Sequence, residues 1–137
     1  MKSKKRAKPG VLVVDDDLYI RRMLSEALEM EGYVVQTAEH GGPALEIMRT
    51  SPERLVVLLG LVMPYVNGQD VLEAVAADEA VAKRHAIIMV TGSAHAASVG
   101  HVAELREQLG VPLIPKPFHF RQIIDAVEQA TARLTRE

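Results

Sequence analysis

The chain has 137 residues, of which 48% are hydrophobic and 25% are charged, and its formal net charge is −2 at pH 7. This length and composition are typical of one soluble globular domain. The absence of cysteine excludes disulfide frameworks, thiolate zinc sites and thiol catalysis, and no apolar run reaches the roughly 20 residues that a membrane-spanning helix needs.

A basic segment at residues 1–8 comes first along the chain, ahead of Pro9 and Gly10. It holds five of the 16 basic residues and no acidic residue, so the rest of the chain has 11 basic and 18 acidic residues, a net charge of −7. Short basic tails are usually solvated, so we expect a flexible tail at 1–8 and a folded domain at 9–137. Contact of the tail with nucleic acid or an acidic partner is the less favoured alternative. The acidic body argues against nucleic-acid binding by the domain itself, and the lack of a hydrophobic segment after the tail favours a cytoplasmic location over secretion.

Five apolar runs alternate with five helical patterns along the rest of the chain. The runs are rich in aliphatic residues, which predicts strands at 11–14, 33–38, 54–59, 86–90 and 111–114. Apolar residues at helical spacing follow each run. They predict a first helix with a stripe at 20–28 that closes at Gly32, and further helices at 41–51, 67–80, about 94–109 and 119–134.

This alternation predicts an α/β fold. Strands that are apolar on both faces are expected in a parallel sheet covered by helices on both sides. Right-handed crossovers then give an open, doubly wound sheet, and such sheets place their functional groups at the carboxyl ends of the strands.

Several chemically useful residues follow the ends of the predicted strands and should therefore share one edge of the sheet. In chain order they are Asp15, Asp16, Asp17, Gly60, Thr91, Gly92 and Lys116. Neighbouring carboxylates suit Mg²⁺, which takes oxygen ligands and is often held by one or two carboxylates plus phosphate oxygens. A lysine and a hydroxyl complement the remaining phosphate oxygens, so the set favours metal-assisted phosphoryl chemistry. Taken singly, each residue has a structural explanation, and Asp17 is expected to be a helix cap.

No competing motif supports another site. The chain has neither a GxGxxG after the first strand nor a GxxxxGK[ST], so a dinucleotide or nucleoside triphosphate site of those types is unsupported. The histidines show no metal-ligand spacing and are interpreted as surface residues: His40, His85, His95, His101 and His119.

Four motifs in this order resemble the receiver domain of two-component response regulators, the CheY-like family. They are VLVVDDD, VVLLGLVMPYVNG, IIMVTG and LIPKPF, and the resemblance covers roughly residues 9–135. It implies a flavodoxin-like five-stranded parallel sheet of order 2-1-3-4-5. It also implies metal binding by Asp15 and Asp16, a switch hydroxyl at Thr91, a phosphate-pairing lysine at Lys116, and a cis bond between Lys116 and Pro117.

The chain departs from the family pattern at two positions. The family's phosphoacceptor is an aspartate four residues before the loop proline, and here that position is Gly60. The family often has Tyr or Phe three residues before the lysine as a rotamer switch, and here that residue is Leu113. Because glycine offers no atom for an acyl phosphate and no metal ligand, we expect a weakened or vestigial Mg²⁺ site. We expect Asp15 and Asp16 to lie against Lys116 instead.

The sequence thus favours a non-enzymatic pseudo-receiver that acts through protein contacts without phosphorylation. Under the resemblance, partners such as a histidine kinase, phosphotransfer protein or effector protein, or a second copy in a homodimer, bind the face at about 94–135. One alternative is a genuine phosphorelay receiver whose acceptor aspartate has been replaced by Gly60. Another is a small phosphoryl-handling enzyme of flavodoxin-like fold that uses Asp15 or Asp16 as nucleophile or base.

Overall fold

The computed structural model describes residues 8–135. Strands and helices alternate along this part of the chain. The strands are β1 (Gly10–Val14), β2 (Val35–Ala38), β3 (Leu55–Leu59), β4 (Ala86–Thr91) and β5 (Leu113–Pro115). The helices are α1 (Leu18–Met30), α2 (Gly41–Thr50), α3 (Gly68–Ala76), α4 (Glu79–Arg84), α5 (Ala94–Ala97), α6 (Gly100–Leu109) and α7 (Phe120–Thr135). Of the predicted basic tail, only Lys8 is among the described residues.

The strands form one parallel sheet in the order β2-β1-β3-β4-β5, as the resemblance implied. β1 lies between β2 and β3, and this is where the direction of the strand order changes. In register, Val14 lies beside Leu59 at the ends of β1 and β3. The crevice at such a switch point is the usual ligand site of an open α/β sheet.

Helices cover both faces of the sheet. Alternate strand residues point to opposite faces, so Val11 and Val13 face α1 and α7 while Leu12 and Val14 face α2, α3 and α6. These four valine and leucine side chains are 1% exposed or less. Each such burial contributes about 1.5–3 kcal/mol, so the two-sided core helps to hold the sheet edge in place.

Two predicted helices are each divided in the structure. The pattern at 67–80 gives α3 and α4, because Asp78 leaves the helix and its side chain accepts a hydrogen bond from the N–H of Val81. The pattern at 94–109 gives α5 and α6, with Gly100 at a φ of +63° at the start of α6. Apolar periodicity continues across both breaks, so periodicity alone predicted single helices.

β2 and β5 begin later than predicted because their first residues close the preceding helix. The N–H of Tyr33 donates to the carbonyl of Leu28, and the N–H of Val111 donates to the carbonyl of Arg106. In both bonds, a residue just beyond the end of a helix donates to a carbonyl group of the last turn of that helix. The side chains of Tyr33 and Val111 are buried, which is why both residues read as part of an apolar strand.

The interpretation of all five histidines as surface residues is wrong for His85. Its side chain is buried, with 7% exposure. The N–H of Leu55 donates to its Nδ1 at 3.0 Å, and its Nε2 lies 2.8 Å from the carbonyl oxygen of Met48. This pattern fits the neutral tautomer with hydrogen on Nε2. His85 therefore joins the end of α2 to the starts of β3 and β4.

The other histidines lie nearer the surface. His95, His101 and His119 are exposed, as predicted. His40 is half-buried and caps α2, since its Nδ1 accepts a hydrogen bond from the N–H of Gly42 at 3.0 Å.

The stability of the domain should fall as the pH drops below about 6.5. Burial lowers the pKa of His85 below its usual 6.5; the Met48 hydrogen bond opposes this shift, and the charges of Arg84 and Arg54 add to it. Between the lowered pKa and 6.5 the unfolded chain therefore binds a proton that the folded chain does not, and the free energy of unfolding decreases.

This pH dependence can be measured by urea denaturation at a series of pH values for the wild type and for His85→Gln. The wild type should lose more stability between neutral pH and pH 5 than the variant, which cannot titrate at this position. Equal pH dependence of the two proteins would contradict the assignment.

No helix among residues 8–135 is long and apolar enough to cross a membrane.

Candidate functional site

The carboxyl edge of the sheet brings together the residues that the sequence placed there. Asp15 follows β1, Gly60 follows β3, Thr91 ends β4 and Lys116 follows β5. Asp15, Gly60 and Thr91 are buried, and Lys116 is half-buried.

Asp15 and Lys116 form the central contact of this edge. Nζ of Lys116 lies 2.8 Å from Oδ2 of Asp15, and the two side chains are 28% and 7% exposed respectively. The other carboxylate oxygen, Oδ1, accepts a hydrogen bond from the N–H of Asp17 at 2.9 Å. Both oxygens of Asp15 are therefore engaged within the protein. The prediction that Lys116 would be paired with an aspartate is confirmed for Asp15.

Asp16 and Asp17 have different positions. Asp17 caps α1, as predicted, with its side chain accepting from the N–H groups of Tyr19 and Ile20. Asp16 is exposed, and it has no hydrogen bond or ion pair with any residue in the described range 8–135. The expectation that Asp16 would also lie against Lys116 is therefore wrong. The extended turn that begins α1 directs only the first of the three carboxylates inward.

Thr91 and Lys116 are joined through the backbone as well as by position. The N–H of Lys116 donates to the carbonyl of Thr91 at 2.9 Å, and the Thr91 hydroxyl oxygen accepts from the N–H of Ser93 at 2.9 Å. The Lys116–Pro117 peptide bond is cis, as the resemblance implied. The two predicted phosphate-facing side chains therefore project from neighbouring strand ends.

Leu113, at the predicted rotamer-switch position, is half-buried and lies at the start of β5. It packs against the core on the face of the sheet that carries α2, α3 and α6. Leucine has neither a hydroxyl group nor an aromatic ring, so Leu113 cannot act as the Tyr or Phe rotamer switch that the family often has at this position.

Gly60 lies beside Asp15 at the end of β3. Its N–H donates to the carbonyl of Val14 at 2.9 Å. A Cβ atom added at Gly60 would lie 3.3 Å from that carbonyl oxygen, 3.6 Å from Oδ2 of Asp15 and 3.7 Å from Sδ of Met63. The φ of Gly60 lies outside the left-handed region, so the backbone does not require glycine here. A larger side chain would point at the carboxylate of Asp15.

The loop after β3 is held close to this position. The N–H of Gly68 donates to the carbonyl of Leu61 at 2.8 Å, and a side chain at Gly68 would overlap the carbonyl of Gly60. Asn67 and Asp70 form a reciprocal capping box at the start of α3. The steric reason for glycine is therefore strong at position 68, whereas a Cβ at position 60 would make only one tight contact, 3.3 Å from the carbonyl oxygen of Val14.

Two residues near this edge of the sheet were not singled out from the sequence. Tyr65 has a φ of +68° and is 88% exposed, and its ring lies 5.2 Å from that of His40. Arg21, one turn into α1, donates from Nη1 to the backbone carbonyl of Asp15 at 2.8 Å. Its position six residues after Asp15 on a helix that begins at the same edge was the only sequence signal for this contact.

The carboxylates at this edge are not gathered into one cluster. Among the described residues, no group of three or more His, Asp or Glu side chains is placed to hold a metal ion. Asp15 is already neutralised by Lys116, Asp16 points to solvent, and Gly60 supplies no side-chain oxygen.

Replacing Lys116 should destabilise the domain, because the charge of the Asp15 carboxylate then has no partner. Lys116→Gln leaves the buried Asp15 carboxylate without its cation, and because Lys116 is partly exposed we expect a loss of about 1–2 kcal/mol. The matched control is Lys83→Gln, which breaks a 3.1 Å pair with Glu79 whose side chains are 73% and 79% exposed. The control should change the free energy of unfolding by less than about 0.5 kcal/mol. If urea denaturation gave equal losses in the free energy of unfolding for the two variants, the Asp15–Lys116 pair would contribute no more stability than an exposed ion pair.

Comparison with known proteins agrees with this geometry. Residues 11–128 match the family model of the response regulator receiver domain. The transcriptional regulatory protein CpxR of Escherichia coli is 33% identical over 128 residues, which cover 90% of this chain and 49% of CpxR. The chain thus spans about half the length of this curated relative.

Solved structures show the same fold. A CheY-like receiver domain protein from Methanospirillum hungatei has a TM-score of 0.80 and 26% identity, covering 93% of this chain and 98% of that one. The response regulator TrrA from Thermotoga maritima, solved in complex with Mg²⁺ and BeF, has a TM-score of 0.72 and 28% identity, covering 89% and 98%. The family match, the sheet order and the residues at the carboxyl edge together establish that this chain belongs to the response regulator receiver domain family.

Proposed function

We propose that this chain is a pseudo-receiver, a receiver domain that acts through protein contacts and is not phosphorylated at the usual position. The observation that carries the proposal is Gly60, which stands at the end of β3 beside Asp15 and has no side chain. We assign Gly60 to the phosphoacceptor position because it is four residues before Pro64 and neighbours the acid pair after β1. An acyl phosphate needs a carboxylate oxygen, and glycine has none.

The engaged state of the neighbouring groups supports the same conclusion. Nζ of Lys116 donates to Oδ2 of Asp15 at 2.8 Å. In this arrangement it would have to leave Asp15 to pair with a phosphate. We infer a vestigial Mg²⁺ site at Asp15 and Asp16, with cation affinity below that of a pocket containing a third carboxylate. The domain would then remain in one conformational state, without the switch at Thr91 and Leu113.

Protein partners would bind the face formed by residues 94–135. A groove of about 780 Å³ lies on this face, with lining that includes Ala103, Arg106, Gln129 and Arg133 from α6 and α7. A histidine kinase, a phosphotransfer protein, an effector protein or a second copy of the chain is the class of partner we propose, acting in the cytoplasm. We propose no enzymatic activity, since both carboxylate oxygens of Asp15 are engaged, by Lys116 and by the N–H of Asp17.

A second candidate is a true phosphorelay receiver in which Gly60 has replaced the acceptor aspartate. The observation that favours it is the retained pocket: a buried Thr91 with a pairing Lys116 on the adjacent strand end. A pocket that no longer takes part in phosphorylation has no evident need for both groups.

Phosphorylation by acetyl phosphate with Mg²⁺, followed by intact-protein mass spectrometry, tests both candidates. The wild type should gain no phosphoryl group, and stable labelling of the wild type would overturn the pseudo-receiver proposal. Gly60→Asp separates the candidates, with Gly60→Asn as the isosteric control that cannot form an acyl phosphate. Labelling of the aspartate variant alone would support the second candidate, and no labelling of either variant would support the first. Release of phosphate from a phosphate ester by the wild type would instead support the enzyme alternative.

A further inference from the structure

A second cavity lies at the opposite edge of the sheet from Gly60. Its volume is about 520 Å³, and it lies near the amino ends of β3 and β4 and the last turn of α7. This volume is within the range of about 300–1,000 Å³ that is typical of small-molecule sites. None of the residues at the carboxyl edge lines it, so it is separate from the receiver pocket.

The lining of this cavity is cationic. Arg54, Lys83, Arg84 and Arg133 all line it, and no aspartate or glutamate among residues 8–135 does. This is unexpected in a chain whose residues after the basic tail carry a net charge of −7. The positive charges of these side chains would stabilise an anion bound between them.

Some of these cations keep unused hydrogen-bond donors. Arg84 donates from Nη1 to the carbonyl of Ser51 at 2.8 Å, which fixes the guanidinium and leaves its other N–H groups. Arg133 forms no ion pair with any carboxylate among residues 8–135. Lys83 is paired only with Glu79, in a highly exposed contact at 3.1 Å. Guanidinium groups bind phosphate through two parallel N–H bonds.

The remaining wall of the cavity is apolar. Ile87 and Leu134 are 6% exposed and Leu109 is half-buried, and all three line the cavity together with His85. A ligand that satisfied the whole surface would therefore carry negative charge at one end and an apolar or aromatic body at the other.

We propose that this cavity binds a small organic phosphate, the chemical class that includes nucleotides. The cations would bind the phosphate groups, and the wall of Ile87, Leu109 and Leu134 would contact the organic part. The basic segment before β1 joins the fold at the same edge, because Gly10 pairs with Leu55, the residue after Arg54. The phosphates of a nucleic acid could use the same charges, so the test must separate the two sources.

The experiment titrates the full chain with ATP and with inorganic tripolyphosphate, measured by calorimetry at physiological salt. ATP should bind at a single saturable site and more tightly than tripolyphosphate, because only ATP has an organic part to contact the apolar wall. Lys83→Gln/Arg133→Gln should weaken ATP binding by about ten-fold or more, the equivalent of about 1.4 kcal/mol. The matched control, Arg22→Gln/Arg121→Gln, removes two arginines from helix starts at the carboxyl edge and should leave the affinity unchanged.

Four results of these titrations would overturn the proposal. They are the absence of saturable ATP binding, equal loss of affinity in the two double variants, equal binding of ATP and tripolyphosphate, and loss of ATP binding in Lys116→Gln. A single-stranded oligonucleotide that bound more tightly than ATP, and lost its affinity when Lys2, Lys4, Lys5 and Arg6 were changed to Gln, would assign the charge to nucleic-acid binding and would also overturn it.

Discussion

The Gly60→Asp variant should be less stable than Gly60→Asn by about 2 kcal/mol at neutral pH when divalent cations are chelated. The new carboxylate would extend from a Cβ that lies 3.6 Å from Oδ2 of Asp15. Lys116 would then face two buried carboxylates with one positive charge. The asparagine variant has the same shape without the charge, so the difference between the two isolates the electrostatic effect from packing against Val14 and Met63.

Urea denaturation of both variants in EDTA and in Mg²⁺ measures this effect. Mg²⁺ should reduce the difference, because the added carboxylate restores a ligand set that a hard cation can bind, and binding to the folded state stabilises it. The wild type should show little response to Mg²⁺. An aspartate variant that was as stable as the asparagine variant in EDTA would contradict the assignment of Gly60 to a charged pocket.

Replacement of His85 by leucine should lower the free energy of unfolding by about 2–4 kcal/mol, because two buried polar groups lose their partners. The N–H of Leu55 and the carbonyl of Met48 both bond to the imidazole ring. Leu55 is 3% exposed and Met48 is fully buried, so water cannot replace the ring without opening the core. The apolar gain from leucine offsets only part of this cost.

The matched control for this substitution is His119→Leu. His119 is exposed, and none of its side-chain atoms takes part in a hydrogen bond among the described residues, so the change should stay within about 0.5 kcal/mol. Chemical denaturation at neutral pH compares the two variants. Equal stability of His85→Leu and His119→Leu would show that the buried ring is not a structural link between α2, β3 and β4.

The fold could be predicted from the sequence because the apolar runs along the chain match what burial on both faces of a parallel sheet requires. Runs such as 55–59 are apolar at every position, and only a sheet covered on both faces buries all of them. The breaks within 67–80 and 94–109 could not be predicted from periodicity, since Asp78 and Gly100 act through local capping and backbone conformation. The strand order came from family resemblance and not from any residue pattern.

The residues of the site could be predicted from the sequence, but only some of their contacts could. Strand ends placed Asp15, Thr91 and Lys116 at one edge, and the structure brings them there. Which of three successive aspartates turns inward depends on the backbone of the turn before α1, and no composition rule gives that. His85 was missed because its role requires knowing that Leu55 and Met48 present unpaired backbone groups at the same point, which is a tertiary fact.

The most direct test of the account is a titration of the wild-type chain with Mg²⁺ and beryllofluoride, followed by NMR at the Thr91 amide and the Lys116 side chain. Beryllofluoride mimics a phosphoryl group only when it has a carboxylate to bind. With glycine at position 60 and Lys116 paired to Asp15, both signals should stay unchanged, with no saturable response. A saturable shift at Thr91 and Lys116 would contradict the account, because it would show that the pocket still recognises a phosphoryl group.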